Sequence, residues 1–186
     1  MIKALIYDCV GPILVKKNDW QFLDFIREID QSCGQATNDD LFWQYVRQKY
    51  SLNQGQVEEA IEEISSGYEK NLPMWHFLGK IYGQYQLAMI NNGTYVIFKK
   101  WIKKFTLDKY FSLLLNSAQI GVRKPDKEIF LLACQKLEAN PDECLFIDDS
   151  EKNVVGAQQA GLKGIVYNPD KHGLFLQELK NYQIKF

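Results

Sequence analysis

Histidine and paired cysteines, the residues that most often build zinc or redox sites, are scarce in this 186-residue sequence. The two histidines, His76 and His172, lie far apart in the chain, so a zinc site built on histidine is not expected. The four cysteines form no Cys-x-x-Cys pair and no secretory segment precedes them, which is typical of a reduced cytoplasmic protein. We therefore expect four buried free thiols, at Cys9, Cys33, Cys134 and Cys144.

An excess of charge of one sign and long hydrophobic runs are also absent. The 22 Lys and Arg residues nearly balance the 23 Asp and Glu residues, so the net charge of −1 creates no overall field for nucleic acid or an anionic membrane. The longest apolar runs, such as residues 145–147, are far too short to span a bilayer. Lysines alternate with aromatics over residues 98–105, but the apolar residues there recur at helical spacing, which predicts a core-packing helix. We expect a globular protein with no nucleic-acid or membrane partner.

Five short apolar runs predict the strands of a parallel sheet. They cover residues 2–7, 86–90, 112–115, 144–147 and 164–167, and a helix-like segment precedes each of the last four. Strands that alternate with helices indicate an α/β fold with right-handed crossovers. The predicted fold class is therefore a Rossmann-like parallel sheet flanked by helices.

The long stretch between the first two predicted strands has a different pattern. Apolar residues recur at helical spacing from about residue 20 to residue 64, without strand-like alternation, and Thr37 with Asp40 resembles a helix-capping box. So many helices between neighbouring strands cannot all be crossovers, although one continuous α/β layer is the alternative. We predict a helical insert over residues 16–79, and a core domain formed by residues 1–15 and 80–186.

Polar residues follow four of the predicted strands. The carboxyl ends of parallel strands meet at one edge of an open α/β sheet, where ligands bind. Three carboxylates there would repel one another without a cation, and hard oxygen ligands favour Mg²⁺, while a lysine would screen a nucleophilic carboxylate and an anionic substrate. For the adjacent acids, a helix N-terminus that favours negative charge is the alternative. The candidate residues are Asp8, Asn91, Asn92, Gly93, Lys124, Asp148 and Asp149.

These residues resemble the four motifs of the haloacid dehalogenase superfamily, in an order that covers most of the chain. The first motif, a strand that ends in Asp-x-Asp-Gly, stands here as Asp-Cys-Val-Gly-Pro over residues 8–12. The second corresponds to Asn91-Asn92-Gly93, the third to the lysine of Gly-Val-Arg-Lys-Pro over 121–125, and the fourth to Phe-Ile-Asp-Asp-Ser over 146–150. The helical insert is similar to the cap that covers the site in this family and selects the substrate.

The resemblance implies a phosphoaspartyl mechanism on a small phosphorylated metabolite. Asp8 would attack phosphorus and Lys124 would orient it and stabilise charge in the transition state. The residues Asn91, Asn92 and Gly93 would contact the substrate. The implied cofactor is Mg²⁺, held by Asp8, the main-chain carbonyl of Val10 and Asp149, with Asp148 beside the metal or its waters.

The first motif departs from the family pattern at two positions. Val10 stands where an aspartate normally protonates the leaving group, and such general acid–base help is typically worth about 10²- to 10⁴-fold in rate. Pro12 replaces a residue that usually helps to fix the same loop. Three functions stay open: an impaired Mg²⁺-dependent phosphatase, a metal-independent dehalogenase-type hydrolase, and a non-catalytic binding protein. The paired acids Asp148 and Asp149 favour the phosphatase, because a dehalogenase does not need a metal site.

Overall fold

The computed structural model describes residues 1–186, which form seven strands and nine α-helices. The first part contains β1 (Ala4–Tyr7), β2 (Leu14–Lys16), α1 (Asp24–Cys33), α2 (Asp39–Tyr50), α3 (Gln54–Ser66), β3 (Tyr68–Lys70) and α4 (Leu72–Ile81). The second part contains β4 (Gln86–Asn91), α5 (Tyr95–Phe105), β5 (Leu113–Asn116), α6 (Ser117–Ile120), α7 (Lys127–Lys136), β6 (Cys144–Asp148), α8 (Glu151–Gln159), β7 (Lys163–Val166) and α9 (His172–Asn181).

Five strands form one parallel sheet in the order β5-β4-β1-β6-β7. The central strand β1 pairs with β4 on one side and with β6 on the other, so that Tyr7 lies opposite both Met89 and Ile147. Every residue of β1 and β6 is buried, which explains why both strands are almost continuous apolar runs. The prediction of a Rossmann-like parallel sheet flanked by helices is confirmed, with strand bounds within two residues of those expected.

Helices cover both faces of the sheet. One face, which includes Ile6 and Phe146, packs on α7 and α8. The opposite face, which includes Leu5, packs on α4, α5 and α9. The apolar residues of α1–α3 belong to the same continuous core as this second face. The helical segment is therefore packed against the sheet layer and is not a free-standing unit.

The segment between β1 and β4 contains the predicted helices and one feature that the sequence did not reveal. The strands β2 and β3 pair antiparallel at the two ends of the helical segment, with Leu14 opposite Lys70 and Lys16 opposite Tyr68. The expectation of no strand within residues 16–79 is therefore wrong, because a three-residue strand is too short to show alternation. The predicted boundary after residue 79 falls inside α4, and the division into two domains stays a prediction.

Asn38 and Asp39 shape the start of α2 and connect it to the core. The helix cap is Asn38, whose side chain accepts a hydrogen bond from the N–H of Leu41 at 3.0 Å, and not the predicted Thr37. The next carboxylate, Asp39, accepts hydrogen bonds from the N–H groups of Tyr95 and Val96 at 2.7 and 2.9 Å. Since these N–H groups open α5, Asp39 caps a second helix and fixes the helical segment to the sheet domain.

The cysteines and the lysine-rich helix lie where the sequence predicts. All four cysteines are buried and free. The helix α5 buries Ile97, Phe98, Trp101 and Phe105 against the core, which confirms that it is a packing helix. None of the helices combines the length and the hydrophobicity that a membrane-spanning segment requires.

Candidate active site

The candidate residues meet at the carboxyl edge of the sheet. Asp8 follows β1, Asn91 ends β4, and Asp148 ends β6. Because β1 lies between β4 and β6, these three positions are neighbours in space. Lys124 reaches the same point from the loop between α6 and α7. The topology therefore collects residues that are spread over more than a hundred positions of the sequence.

Lys124 forms the centre of the site. Its ammonium nitrogen lies 2.6 Å from Oδ1 of Asp8 and 2.8 Å from Oδ2 of Asp148, and its side chain is fully buried. Burial alone would lower the pKa of Lys124, but the two carboxylates raise it above its usual value. The main chain of Lys124 is held by Asn92, whose amide accepts from the lysine N–H and donates to the lysine carbonyl, each at 2.9 Å. The position of the lysine charge is thus fixed by contacts to the ammonium group and to the main chain of the same residue.

Asp148 is buried and fully bonded within the protein. Its Oδ1 accepts from the N–H of Ser150 at 2.8 Å, and its Oδ2 accepts from Asn153 at 3.0 Å as well as from Lys124. The next residue, Asp149, is exposed, although it follows directly in the sequence. The two acids therefore have different surroundings: the first is buried and anchors the lysine, and the second belongs to an exposed residue whose carboxyl group lies against Gly11.

The two carboxylate oxygens of Asp8 differ in their contacts. Its Oδ1 accepts from the N–H of Cys9 at 2.6 Å and pairs with Lys124, whereas Oδ2 has no hydrogen-bond partner in the chain. Burial, followed by the negative charge of Asp148, raises the pKa of Asp8 from 3.8 to about 7. Burial and the same neighbour raise the pKa of Asp149 to about 6. Both shifts arise chiefly from desolvation of the carboxyl groups and from their mutual repulsion, which the charge of Lys124 offsets only in part.

The acid cluster fits a divalent cation. One oxygen each from Asp8, Asp148 and Asp149 lies within 4.8 Å of the others. Two ligands on opposite sides of Mg²⁺ lie about 4.2 Å apart, so shifts of roughly half an ångström would bring this set into range. The carbonyl oxygen of Val10 accepts no hydrogen bond from the chain and is available as a fourth oxygen. The donors are hard oxygens, which is the chemistry that Mg²⁺ requires.

The loop after Asp8 lies directly against Asp149. Gly11 has a φ of +94°, and a Cβ at this position would lie 2.6 Å from the carboxyl carbon of Asp149. Only glycine accommodates both the backbone conformation and the close approach. The glycine of the first motif therefore sets how closely the loops of β1 and β6 approach each other.

A cavity of about 210 Å³ opens between the carboxyl edge of the sheet and the helical segment. Val10, Asn91 and Gly93 line it from the edge of the sheet, and Asp30 and Tyr68 line it from the helical segment. The carboxylate of Asp30 is almost completely buried. It lies 2.6 Å from the ammonium of Lys16 and accepts the hydroxyl of Tyr68 at 2.9 Å. Sequence reasoning missed this group of three, because its members are far apart in the chain and belong to no motif.

The predicted substrate-binding residues occupy different positions at this cavity. Asn91 lies at the end of β4 and lines the cavity. Asn92 lines it as well, but both polar atoms of its side-chain amide bond to Lys124. The N–H of Gly93 donates to the hydroxyl of Ser117 at 3.0 Å, and this hydroxyl in turn donates to the carbonyl of Ala36.

Comparisons with known proteins agree with this geometry. A family model described as haloacid dehalogenase-like hydrolase matches residues 76–161. The phosphorylated carbohydrates phosphatase of Thermotoga maritima is 33% identical over 64 residues, which are 34% of this chain and 30% of that protein. The protein YhcW of Bacillus subtilis, named as a phosphatase, is 23% identical over 193 residues, which cover 89% of this chain and 83% of the relative.

Two solved structures share the fold over nearly the whole chain. The haloacid dehalogenase family enzyme BT-2542 of Bacteroides thetaiotaomicron, in complex with magnesium and inorganic phosphate, has a TM-score of 0.73 at 18% identity and covers 92% of this chain and 96% of that one. The 2-haloacid dehalogenase of Pseudomonas syringae has a TM-score of 0.67 at 19% identity and covers 92% and 88%. The family model over residues 76–161 and this common fold together support membership of the chain in the haloacid dehalogenase-like hydrolase superfamily.

Proposed function

We propose that the protein is a Mg²⁺-dependent phosphatase that acts on a small phosphorylated metabolite through a phosphoaspartyl intermediate on Asp8. The observation that carries this proposal is the cluster of Asp8, Asp148 and Asp149 around one point, since a phosphatase needs a cation there and a dehalogenase does not. Asp8, Asp149 and the carbonyl of Val10 would hold the ion. When bound, Mg²⁺ would neutralise negative charge on the transferring phosphoryl group.

The residues around Asp8 suit an in-line attack on phosphorus. The Oδ2 oxygen of Asp8 would form the bond to phosphorus while the bond from phosphorus to the leaving oxygen breaks. Lys124 holds Oδ1 and would stabilise charge on the phosphoryl oxygens. Water would then attack the phosphorus of the acyl phosphate, which releases inorganic phosphate and restores the carboxylate. We assign Asn92 and Asp148 to holding Lys124, and Asn91 to contact with the substrate.

The leaving group receives no proton from the loop after Asp8. Val10 has no acidic proton, and burial holds the pKa of the Cys9 thiol well above its usual value. The loss of a general acid matters least when the leaving oxygen is already stabilised as an anion. We therefore expect acyl and aryl phosphates to be hydrolysed faster than alkyl phosphates.

We further propose that residues 16–79 act as the cap and that residues 1–15 and 80–186 form the catalytic domain. The cavity of about 210 Å³ between them has the volume of about seven water molecules. This volume suits the body of a small metabolite. Asp30 and Tyr68 form its polar wall on the side of the helical segment.

The test is hydrolysis of acetyl phosphate and of an aryl phosphate with and without Mg²⁺, by the wild type and Asp8→Asn. We expect Mg²⁺-dependent turnover that Asp8→Asn abolishes without loss of the fold, because the amide is isosteric but a poor nucleophile. The exposed Asp108→Asn is the matched control and should retain full activity. Turnover by Asp8→Asn close to that of the wild type would contradict the covalent mechanism.

The second candidate is a dehalogenase-type hydrolase, favoured by Val10 at the position of the usual acid and by the fold shared with a 2-haloacid dehalogenase. In this reaction Asp8 would attack carbon and displace halide. Halide release from a 2-haloacid that persists in EDTA and in Asp149→Asn would establish it. Absence of turnover on both substrate classes, with folded protein, would favour the non-catalytic binding protein.

A further inference from the structure

We propose that Asn71 and Tyr167 are positioning residues that brace the loop after Asp8 against the loop that carries Asp148 and Asp149. They lie outside all four motifs and touch none of the proposed reacting atoms. The inference rests on the proposed function, because it concerns the separation between the two halves of the Mg²⁺ site. It is carried by a continuous set of hydrogen bonds that joins these loops from behind.

Asn71 holds the first loop through its carbonyl groups. Its buried side-chain amide donates to the carbonyls of Gly11 at 3.2 Å and Pro12 at 2.9 Å, and its main-chain N–H donates to the carbonyl of Ile13 at 3.0 Å. The indole N–H of Trp75 donates to the same Ile13 carbonyl at 3.0 Å. Three consecutive carbonyls directly after Val10 are therefore fixed by one short segment at the start of α4.

Tyr167 connects Asn71 to the second loop. Its main-chain N–H donates to the carbonyl of Asp148 at 2.9 Å. Its hydroxyl oxygen lies 3.0 Å from the amide nitrogen of Asn71 and accepts from it, so the two amide hydrogens are shared among this oxygen and the two carbonyls. The residue is 1% exposed. One buried tyrosine thus bonds to the loop of the paired acids with its main chain and, through Asn71, to the loop of Asp8 with its side chain.

His172 extends this set of hydrogen bonds. Its Nδ1 lies 3.1 Å from the hydroxyl of Tyr167. The amide nitrogen of Asn71 can only donate, so the hydroxyl proton of Tyr167 is free to bond Nδ1 when that ring nitrogen carries no proton. The order Asn71 to Tyr167 to His172 therefore links the amide nitrogen, the hydroxyl and Nδ1 in one path and orients the amide nitrogen of Asn71 toward the loop.

The separation of the loops matters because they are in direct contact. Gly11 has no space for a Cβ beside the carboxyl group of Asp149. A shift of the Gly11–Pro12 segment would therefore move the Val10 carbonyl and Asp149 relative to each other. Groups that orient metal ligands from behind typically contribute about 10- to 100-fold to metal affinity. The brace belongs to this class of contact.

The experiment compares Tyr167→Phe with Tyr182→Phe. Each variant removes one hydroxyl and keeps the ring, which in Tyr167 packs on Phe175 at 5.3 Å between centroids. The hydroxyl of Tyr182 donates to the carbonyl of Gly164 at 3.3 Å, away from the acid cluster, and provides the matched control. Mg²⁺ affinity is measured by calorimetry well below the melting temperature, and amide hydrogen exchange is followed over residues 9–14.

We expect Tyr167→Phe to bind Mg²⁺ at least about tenfold more weakly and to exchange faster at the amides of Gly11 and Leu14, while Tyr182→Phe matches the wild type. Mg²⁺ affinity within twofold of the wild type, or unchanged exchange over residues 9–14, would overturn the proposal. A merely structural role would lower the melting temperature without changing Mg²⁺ affinity, and this result also overturns it.

A wild type that binds no Mg²⁺ would contradict the proposed function, and the exchange measurement would still decide the brace. Faster exchange confined to residues 9–14 in Tyr167→Phe would support the brace, and unchanged exchange would exclude it. Failure of the metal site and failure of the brace are therefore distinguishable.

Discussion

Replacement of Lys124 by methionine should destabilise the protein more than any ordinary loss of an ion pair. The ammonium lies between Asp8 and Asp148, whose side chains are 14% and 0% exposed. Methionine fills similar volume but leaves two carboxylates without their cation. Loss of one partner of a buried ion pair costs about 3–5 kcal/mol, which lowers the melting temperature of a domain of this size by roughly 6–20 °C.

Lys100→Met is the matched control. Lys100 lies 2.6 Å from Glu62, the same distance that separates Lys124 from Asp8, but the side chains of this pair are 45% and 64% exposed. Exposed pairs contribute about 0–1 kcal/mol, so this variant should retain nearly the stability of the wild type. The two variants therefore remove the same chemical group from ion pairs of the same length, and the pairs differ in how far they are buried.

Urea denaturation of both variants at about pH 8 and about pH 5 tests the reasoning. Lys124 lowers the pKa of Asp8, so its removal raises this pKa further and lets the carboxyl group take up a proton more readily. The penalty in Lys124→Met should therefore be smaller at the lower pH. An unfolding free energy within about 1 kcal/mol of that of Lys100→Met at the higher pH would refute the argument from burial.

The other two predictions concern proton donation and pH. Val10→Asp should raise hydrolysis of an alkyl phosphate by at least about tenfold and change aryl phosphate hydrolysis less, measured by steady-state kinetics with Mg²⁺; unchanged alkyl rates in a folded variant would show that the missing acid is not the limiting defect. Because the pKa of Asp8 rises from 3.8 to about 7 on folding, the metal-free fold holds a proton that the unfolded chain releases, and stability falls as pH rises through this window. Mg²⁺ favours the carboxylate, so the gain in melting temperature with Mg²⁺ should increase between about pH 5 and about pH 8, and a larger gain at the lower pH would contradict this assignment.

The residues of the candidate site could be predicted because each of the four motifs follows one of the predicted strands along the chain. An apolar run that ends in Asp8 and another that ends in Asp148 predict two buried parallel strands, and parallel strands place their carboxyl ends at one edge. Lys124 was a candidate because it follows the predicted strand over residues 112–115, but nothing in a loop sequence says that its side chain turns inward. The structure brings it between Asp8 and Asp148, where its burial makes both carboxylates necessary.

The roles of several residues depended on packing that no local pattern records. Asn92 was expected at the substrate, but its amide bonds to the main chain of Lys124, 32 positions away. Tyr68 lies in a strand that is too short to show an alternation of apolar and polar residues. Only the pairing of β3 with β2 brings its hydroxyl within hydrogen-bond distance of Asp30.

The sequence by itself determined the parallel α/β sheet, the helical character of the segment between its first two strands, and the identity of the acids at the strand ends. These follow from periodicity and from the direction of strands, which are local properties of the chain. Only the tertiary structure decided that Asp148 supports Lys124 while Asp149 stays open, and that Asn71 and Tyr167 join the two acidic loops across 96 residues. Such contacts arise from the angles at which distant helices and strands pack, and these angles are set by the whole core at once.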